Sequence, residues 1–285
     1  MFSSLALGGG GVRGGLHVGA LMALERIRGS LQFPQGIYGC SVGSILATAV
    51  AFNLNATQIR TMFETYFDLQ RFVPQLRLSS LTDLSAKKGL FSMDMLESTI
   101  VEAFQSQSVD LRTKCISDAP QPLYIVASNM TSHTTTIFSG TVPVLDAIKC
   151  SSCLPIVFTP QVLYNQVYLD GGVLLDSMTT VTPQDCLTLH ISSPSETIFP
   201  SEVADMTLAT YLHRVYRGMR NKPPTRNTLW LYNNTVSILQ ELTPAEKTLL
   251  VDEGYSQTLA FLSKRLPKEL DQSISSAGST KLGEN

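Results

Sequence analysis

The sequence predicts an α/β fold: a single domain with a central, mostly parallel sheet flanked by helices. Three observations carry this. A strand, a glycine turn and a helix follow one another twice between residues 2 and 52, the local signature of parallel strands joined by crossover helices. Further short apolar runs of strand length recur later, interleaved with helical spacing. The 285 residues, 44% hydrophobic and only 15% charged, suffice to bury a large core and are too apolar for a disordered chain.

Taken in order, Phe2 to Leu7 reads as a buried strand ending at Gly8-Gly9-Gly10-Gly11. Leu16, Ala20, Leu21, Leu24 and Ile27 then fall at helical spacing, and Gly29 closes the helix. Gly36-Ile37-Tyr38 is a second strand, running through Gly39 into a helix from Val42 to Phe52. Leu123 to Ser128 and Thr134 to Phe138 read as strands, Pro143 to Cys153 as a helix, and Val167 to Leu169 as a strand leading into Asp170-Gly171-Gly172. Cys186 to Ile191 is another strand, and Ser201 to Arg220 a helix stopped by Pro223-Pro224. Thr243-Pro244-Ala245-Glu246 has capping-box spacing with proline at the first helical position, opening a last helix to about Leu266. No repeat or linker interrupts the chain, so residues 1–270 are expected to form the domain and the Ser- and Gly-rich residues 271–285 a flexible tail.

A balance of 21 Lys+Arg against 23 Asp+Glu excludes a generally basic nucleic-acid binder. No apolar run approaches the roughly 18 residues of a membrane span. Met1 to Ser4 lacks a basic flank and glycines break the apolar run after it, so a secretory signal is not expected. Five irregularly spaced cysteines leave at least one unpaired, which fits a reducing compartment. The expectation is an intracellular, cytoplasmic chain, at most peripheral to membranes, with no cofactor and no metal.

Gly39-Cys40-Ser41-Val42-Gly43 fits G-x-S-x-G between a strand and a helix. A serine on so tight a turn is pushed toward solvent, and the helix that follows turns its positive end on it. Gly9-Gly10-Gly11-Val12-Arg13-Gly14 exposes successive backbone amides as an anion nest, for a dinucleotide pyrophosphate or for an acyl-transfer oxyanion. The dinucleotide reading needs an acidic residue roughly 20 positions on. After Glu25 the next is Glu64, which counts against it. Asp170, at a strand end before Gly171 and Gly172, is a candidate base, or an ordinary turn residue. A triad of Ser41, Asp170 and His190 or His213 satisfies the order of α/β hydrolases, but those build several strands before the nucleophile and here only one precedes it. His17 is expected to be packed or solvated. A Ser–Asp pair without histidine is feasible where burial raises the carboxylate pKa.

Together, the glycine loop, the elbow and the Asp170-Gly171-Gly172 turn resemble the patatin-like phospholipases, a family of lipid acyl hydrolases, in order and approximate spacing. Lys88-Gly89-Leu90-Phe91 resembles that family's middle segment, Cys150-Ser151-Ser152-Cys153-Leu154-Pro155 is similar to the stretch that leads to its catalytic aspartate, and the resemblance covers about residues 3 to 260. It implies Ser41 as nucleophile, Asp170 as base, the Gly9, Gly10 and Gly11 amides as oxyanion hole, and no metal in the dyad. Phospholipids or lysophospholipids would be the substrates, with neutral-lipid or small-ester hydrolysis, or catalytically silent lipid binding, as alternatives. The sequence departs from the family at Cys150 and Cys153, at Asp176 and Met178, and at Gly8.

Three side readings remain. Cys150 and Cys153 are spaced as a redox pair but lack its context, and buried thiols are expected. Arg214, Arg217 and Arg220 line one side of a helix, as a solvated face or as a contact for anionic headgroups. Phe67, Phe72, Val73, Leu76, Leu78 and Leu81 suit either an apolar cap over an acyl pocket or the core.

Overall fold

The computed structural model describes residues 2–73, 84–192, 198–206, 211, 214, 215 and 227–265. Five parallel strands form the centre of its main sheet: β1 (Ser4–Leu7), β2 (Gly36–Cys40), β4 (Leu123–Asn129), β9 (Leu187–Ser192) and β10 (Thr228–Tyr232). The order is β10-β9-β1-β2-β4, extended by antiparallel β8 (Gln166–Asp170) and β7 (Gln161–Leu163), while β5 (Thr134–Phe138) also pairs with β4. A small second sheet pairs β3 (Gly89–Phe91) with β6 (Ile156–Phe158). The expected mostly parallel sheet is thus present, with β5 and β8, its antiparallel partners of β4, on the C-terminal half of that strand.

The helices are α1 (Gly15–Arg28), α2 (Val42–Ala51), α3 (Ala56–Tyr66), the single turn α4 (Leu69–Phe72), α5 (Asp94–Gln105), α6 (Val144–Ser152) and α7 (Pro244–Ser263). All ten residues of α2 are buried, as an uncharged Val/Ile/Leu/Ala helix requires when it lies between the sheet and other helices. The pleat divides the core. Leu5 and Leu7 face the large cluster with α1 and α2, whereas Ala6, Tyr38, Cys40 and Val126 face a small one with Leu175, Met178 and Cys186.

Gly29 ends α1 in the left-handed conformation, φ 77°. Thr243 and Glu246 form the full capping box of α7, which ends at Ser263. The elements that the sequence reading does not contain are α3, the single turn α4 and the strands β3, β6, β7 and β10. The predicted helix Ser201–Arg220 lies largely outside the described residues, and its described start, Pro200–Glu202, is a 3₁₀ turn. Arg217, Arg220, His213, Leu76, Leu78, Leu81 and the tail 271–285 also fall outside them. Arg214 is described, and its Nη1 lies 2.8 Å from Glu202 Oε2, so that charge is paired.

Candidate active site

The C-terminal edge of the parallel strands gathers the candidate residues. β2 ends at Cys40, and Ser41 turns the chain into α2 with φ 55° and ψ −131°. Such a backbone at a non-glycine residue costs about 1–3 kcal/mol and persists only where its surroundings hold it. Here Ser44 holds it, its N–H and Oγ both donating to the Ser41 carbonyl at 2.7 and 2.6 Å. The second motif glycine permits the approach of α2 to β1: a Cβ on Gly43 would stand 2.1 Å from the Leu7 carbonyl oxygen.

Asp170 arrives from the opposite direction. β5 pairs with residues 125–129 of β4, so β2, which pairs with 123–126, and β8, which pairs with 127–129, must share the other edge. Their C-terminal ends therefore meet head to head: Cys40 opposite Val126, Asp170 opposite the next residue, Ala127. One residue of rise, about 3.4 Å, separates the two levels. Gly171 confirms the closeness, since a Cβ there would lie 2.7 Å from the Cys40 sulfur.

The C-terminal end of α6 clamps both residues. The Ser41 N–H donates to Ser151 Oγ at 2.9 Å, and that hydroxyl donates to the Val126 carbonyl at 2.6 Å. Two residues on, the Cys153 carbonyl accepts the Asp170 N–H at 2.8 Å. The carboxylate is fixed in turn by the Gly172 N–H on Asp170 Oδ1, 2.8 Å. Ser41 and Asp170 are both buried. Nothing in the sequence spacing of Ser151 announces this bond.

The glycine loop closes the third side. A Cβ on Gly9 would meet the Ser41 Cβ at 3.3 Å, so the loop packs directly on the elbow. The amides of Gly8, Val12 and Arg13 are taken up by the carbonyls of Leu189, Ile238 and Gly10, which brackets Gly9 to Gly11. Gly14 and Arg13 belong to the 3₁₀ turn Gly11–Gly14, and Arg13 is buried with Nη1 on the Ser192 carbonyl, 3.4 Å, an anchoring contact. His17 is fully buried on α1 and its Nε2 lies 2.9 Å from the Gly8 carbonyl. Burial pulls its pKa down to about 4, the bond to Gly8 opposing only in part. At neutral pH the ring is therefore uncharged, and Nε2 must carry the proton that Gly8 accepts. Because C=O and N–H of a trans peptide point apart, holding the Gly8 carbonyl toward α1 turns the Gly9 N–H away from it.

His190 lies two strands from β2, with its ring 4.5 Å from that of Trp230, and His133 is exposed in the β4–β5 turn. Cys150 and Cys153 are free and buried. Burial first, then the negative charges of Asp146 and Asp170 respectively, push both thiols up to about 12, which leaves them inert. Beside Ser41 opens an apolar cleft lined by Val12, Ile45, Phe67, Phe72, Leu96 and Phe158. Phe67 and Phe72 thus serve both cleft and core. Among the described residues no cluster of three or more His, Cys, Asp or Glu is arranged for a metal, and no helix is long and apolar enough to cross a membrane.

Fold and site together define an α/β protein that presents a strained serine elbow against an aspartate at a converging strand end, beneath a glycine loop. Residues 5–181 match the family model described as patatin-like phospholipase, and the chain belongs to that family. It is 30% identical over 187 residues to the uncharacterized protein R571 of Acanthamoeba polyphaga mimivirus, a match spanning 64% of this chain and 62% of the viral one. Among solved structures it resembles VipD from Legionella pneumophila, with TM-score 0.54 and 15% identity over 92% of this chain and 67% of that one. It also resembles the type III effector protein ExoU of Pseudomonas aeruginosa, with TM-score 0.50 and 13% identity over 92% and 53%. The chain therefore spans less than two thirds of the viral relative and about half of ExoU.

Proposed function

We propose that the protein is a serine hydrolase that cleaves fatty acyl esters of phospholipids or lysophospholipids through a Ser41–Asp170 dyad. The observation that carries this reading is the head-to-head meeting of β2 and β8 on one edge of β4, which brings a strained serine and a buried aspartate to adjacent levels of the sheet.

In this mechanism Asp170 takes the hydroxyl proton as Ser41 Oγ attacks the acyl carbonyl. The amides of Gly9, Gly10 and Gly11, at the positive end of the following turn and helix, hold the oxyanion of the tetrahedral intermediate. Collapse of that intermediate passes the proton from Asp170 to the leaving alcohol. Asp170 then activates a water that releases the fatty acid and restores Ser41. The acyl chain occupies the cleft beside Ser41, where Phe67, Phe72 and Leu96 offer it apolar surface. Membership of a phospholipase family and the apolar character of this cleft support a lipid substrate over a small polar ester.

The test is labelling by a fluorophosphonate probe, followed by fatty-acid release from phosphatidylcholine, lysophosphatidylcholine and triacylglycerol. Wild type should label, while Ser41→Ala and Asp170→Asn should not, and the two phospholipids should be turned over faster than the triacylglycerol. Labelling that survives Ser41→Ala would remove Ser41 as nucleophile. Folded wild type that neither labels nor releases fatty acid would leave a lipid-binding protein.

A further inference from the structure

We propose that the β7–β8 hairpin seats the molecule on a neutral, zwitterionic phospholipid surface, bringing the cleft beside Ser41 to the lipid. This rests on the lipid-hydrolase reading and adds to it the element that meets the bilayer.

Position comes first. β8 runs antiparallel to β4, and Tyr168 pairs with Asn129, the last residue of β4. Gln166 and the turn at Tyr164–Asn165 therefore stand beyond the end of β4, on the side toward which β1 and β2 deliver the glycine loop and Ser41. From Asp170 to the turn is about 17 Å along the strand. The tip projects past the elbow at the same end of the sheet.

The outward side chains share one face. Paired residues of antiparallel strands point the same way, as do alternate residues of one strand. Ile137 pairs with Val126, Ser128 with Leu169, and Val167 with Val162, so Ile137, Val167 and Val162 all lie on one face of the sheet. All three are exposed, Val162 at 71%, and Tyr164 at the turn is 65% exposed. The opposite face is anchored: Tyr168 is buried against the Phe138 ring and Leu163 packs on the core.

This corner carries almost no charge. Between Ala119 and Leu169, His133 aside, Asp146 and Lys149 are the only charged residues, and they pair with each other at 3.1 Å. β7 is the end strand of its sheet among the described residues, yet it has none of the lysines or glutamates that usually guard such an edge. Neutral, exposed Asn165 at the turn can meet headgroup oxygens without burying a charge, and the Tyr164 ring beside it suits the headgroup level. The exposed apolar area of the three hairpin side chains, roughly 300 Å², is that of a patch rather than of a protein interface, which takes about 800 Å² from each partner. A bilayer needs no such area, only a few anchors.

The test uses flotation with phosphatidylcholine vesicles, and Tyr164→Trp as a reporter at the tip. The reporter's emission should shift to the blue when vesicles are added. Val162→Asp and Val167→Asp, both at exposed positions, should lower the vesicle-bound fraction and vesicle turnover by roughly tenfold. Turnover of a soluble short-chain ester should stay within about twofold of wild type, which separates seating from chemistry. Unchanged flotation of both variants would overturn the proposal, as would binding that rises with anionic lipid and falls with Arg214→Ala. Dimerisation lost in the same variants would assign the edge to a second copy and overturn it too. Were wild type neither to label with fluorophosphonate nor to release fatty acid, the hydrolase reading would fail while flotation still decided the hairpin.

Discussion

Ser151 shows how much a single hydroxyl organises. It accepts from the Ser41 amide and donates to the Val126 carbonyl, so it joins the elbow to β4 at the level where β8 arrives. Ser151→Ala leaves a buried amide and a buried carbonyl without this partner, a penalty of about 1–3 kcal/mol each before relaxation. The expected result is a lower unfolding midpoint together with slower fluorophosphonate labelling; loss of stability with an unchanged labelling rate would make the bond purely structural. His17 gives a pH signature. Its folded pKa, about 4, lies below the ordinary 6.5, so the unfolded chain takes up the proton first as pH falls. Its contribution is complete above about pH 6.5 and is lost between there and 4, at ~1.4 kcal/mol per unit. Urea midpoints at pH 7, 5.5 and 4.5 should fall less steeply in His17→Gln, whose amide can still donate to Gly8, than in wild type.

Among the elements, α1 and α7 cross almost backbone to backbone. A Cβ on Gly19 would stand 1.9 Å from the Val251 carbonyl oxygen, and one on Gly254 2.1 Å from that of Leu16. Gly254→Ala must push the helices apart and should destabilise by about 3 kcal/mol or more, visible as a large drop in the thermal midpoint. Since α1 also carries His17, the same variant should slow labelling at Ser41. What the sequence reading recovered at this scale follows from locality. The strand–glycine–helix units around Gly9–Gly14 and Gly39–Gly43 announce themselves within a few residues, and so does the Thr243–Glu246 box. β7 and β10 did not, because Val162 and Tyr164 are apolar yet face outward, the hairpin turn Tyr164–Asn165 contains no glycine, and β10 is held by pairing with β9 some forty residues earlier. α3 carries a local signal of its own. Asn55 and Gln58 form its capping box, and Asn55 is also one of three asparagines in an N-x-T pattern. The other two such asparagines act alike: Asn129 accepts from the Thr131 and Ser132 amides, Asn233 from those of Thr235 and Val236.

At the scale of the molecule, the family match ends at residue 181, but the fold does not. β9 pairs with β1 and β10 with β9, and α7 lies on α1. A fragment of residues 1–181 would expose one edge of β1 and the outer face of α1. It should lack the near-ultraviolet circular dichroism of a packed core, and it should fail to label. The convergence at Ser41 and Asp170 was open to prediction only as a family likeness, since no local pattern states that β2 and β8 share an edge of β4.

That shared edge also has a consequence in time. Ser41 and its elbow segment have been made once the first fifty or so residues have left the ribosome, but Asp170 follows 129 positions later. At about 5–20 residues per second the interval is roughly 6–26 s. During it a nascent chain carries the nucleophile without its base, and β9, the neighbour that closes β1, comes later still. In the proposed mechanism the growing chain therefore cannot turn on the membranes around it: competence arrives only with the last strands, as a by-product of the order in which they are made.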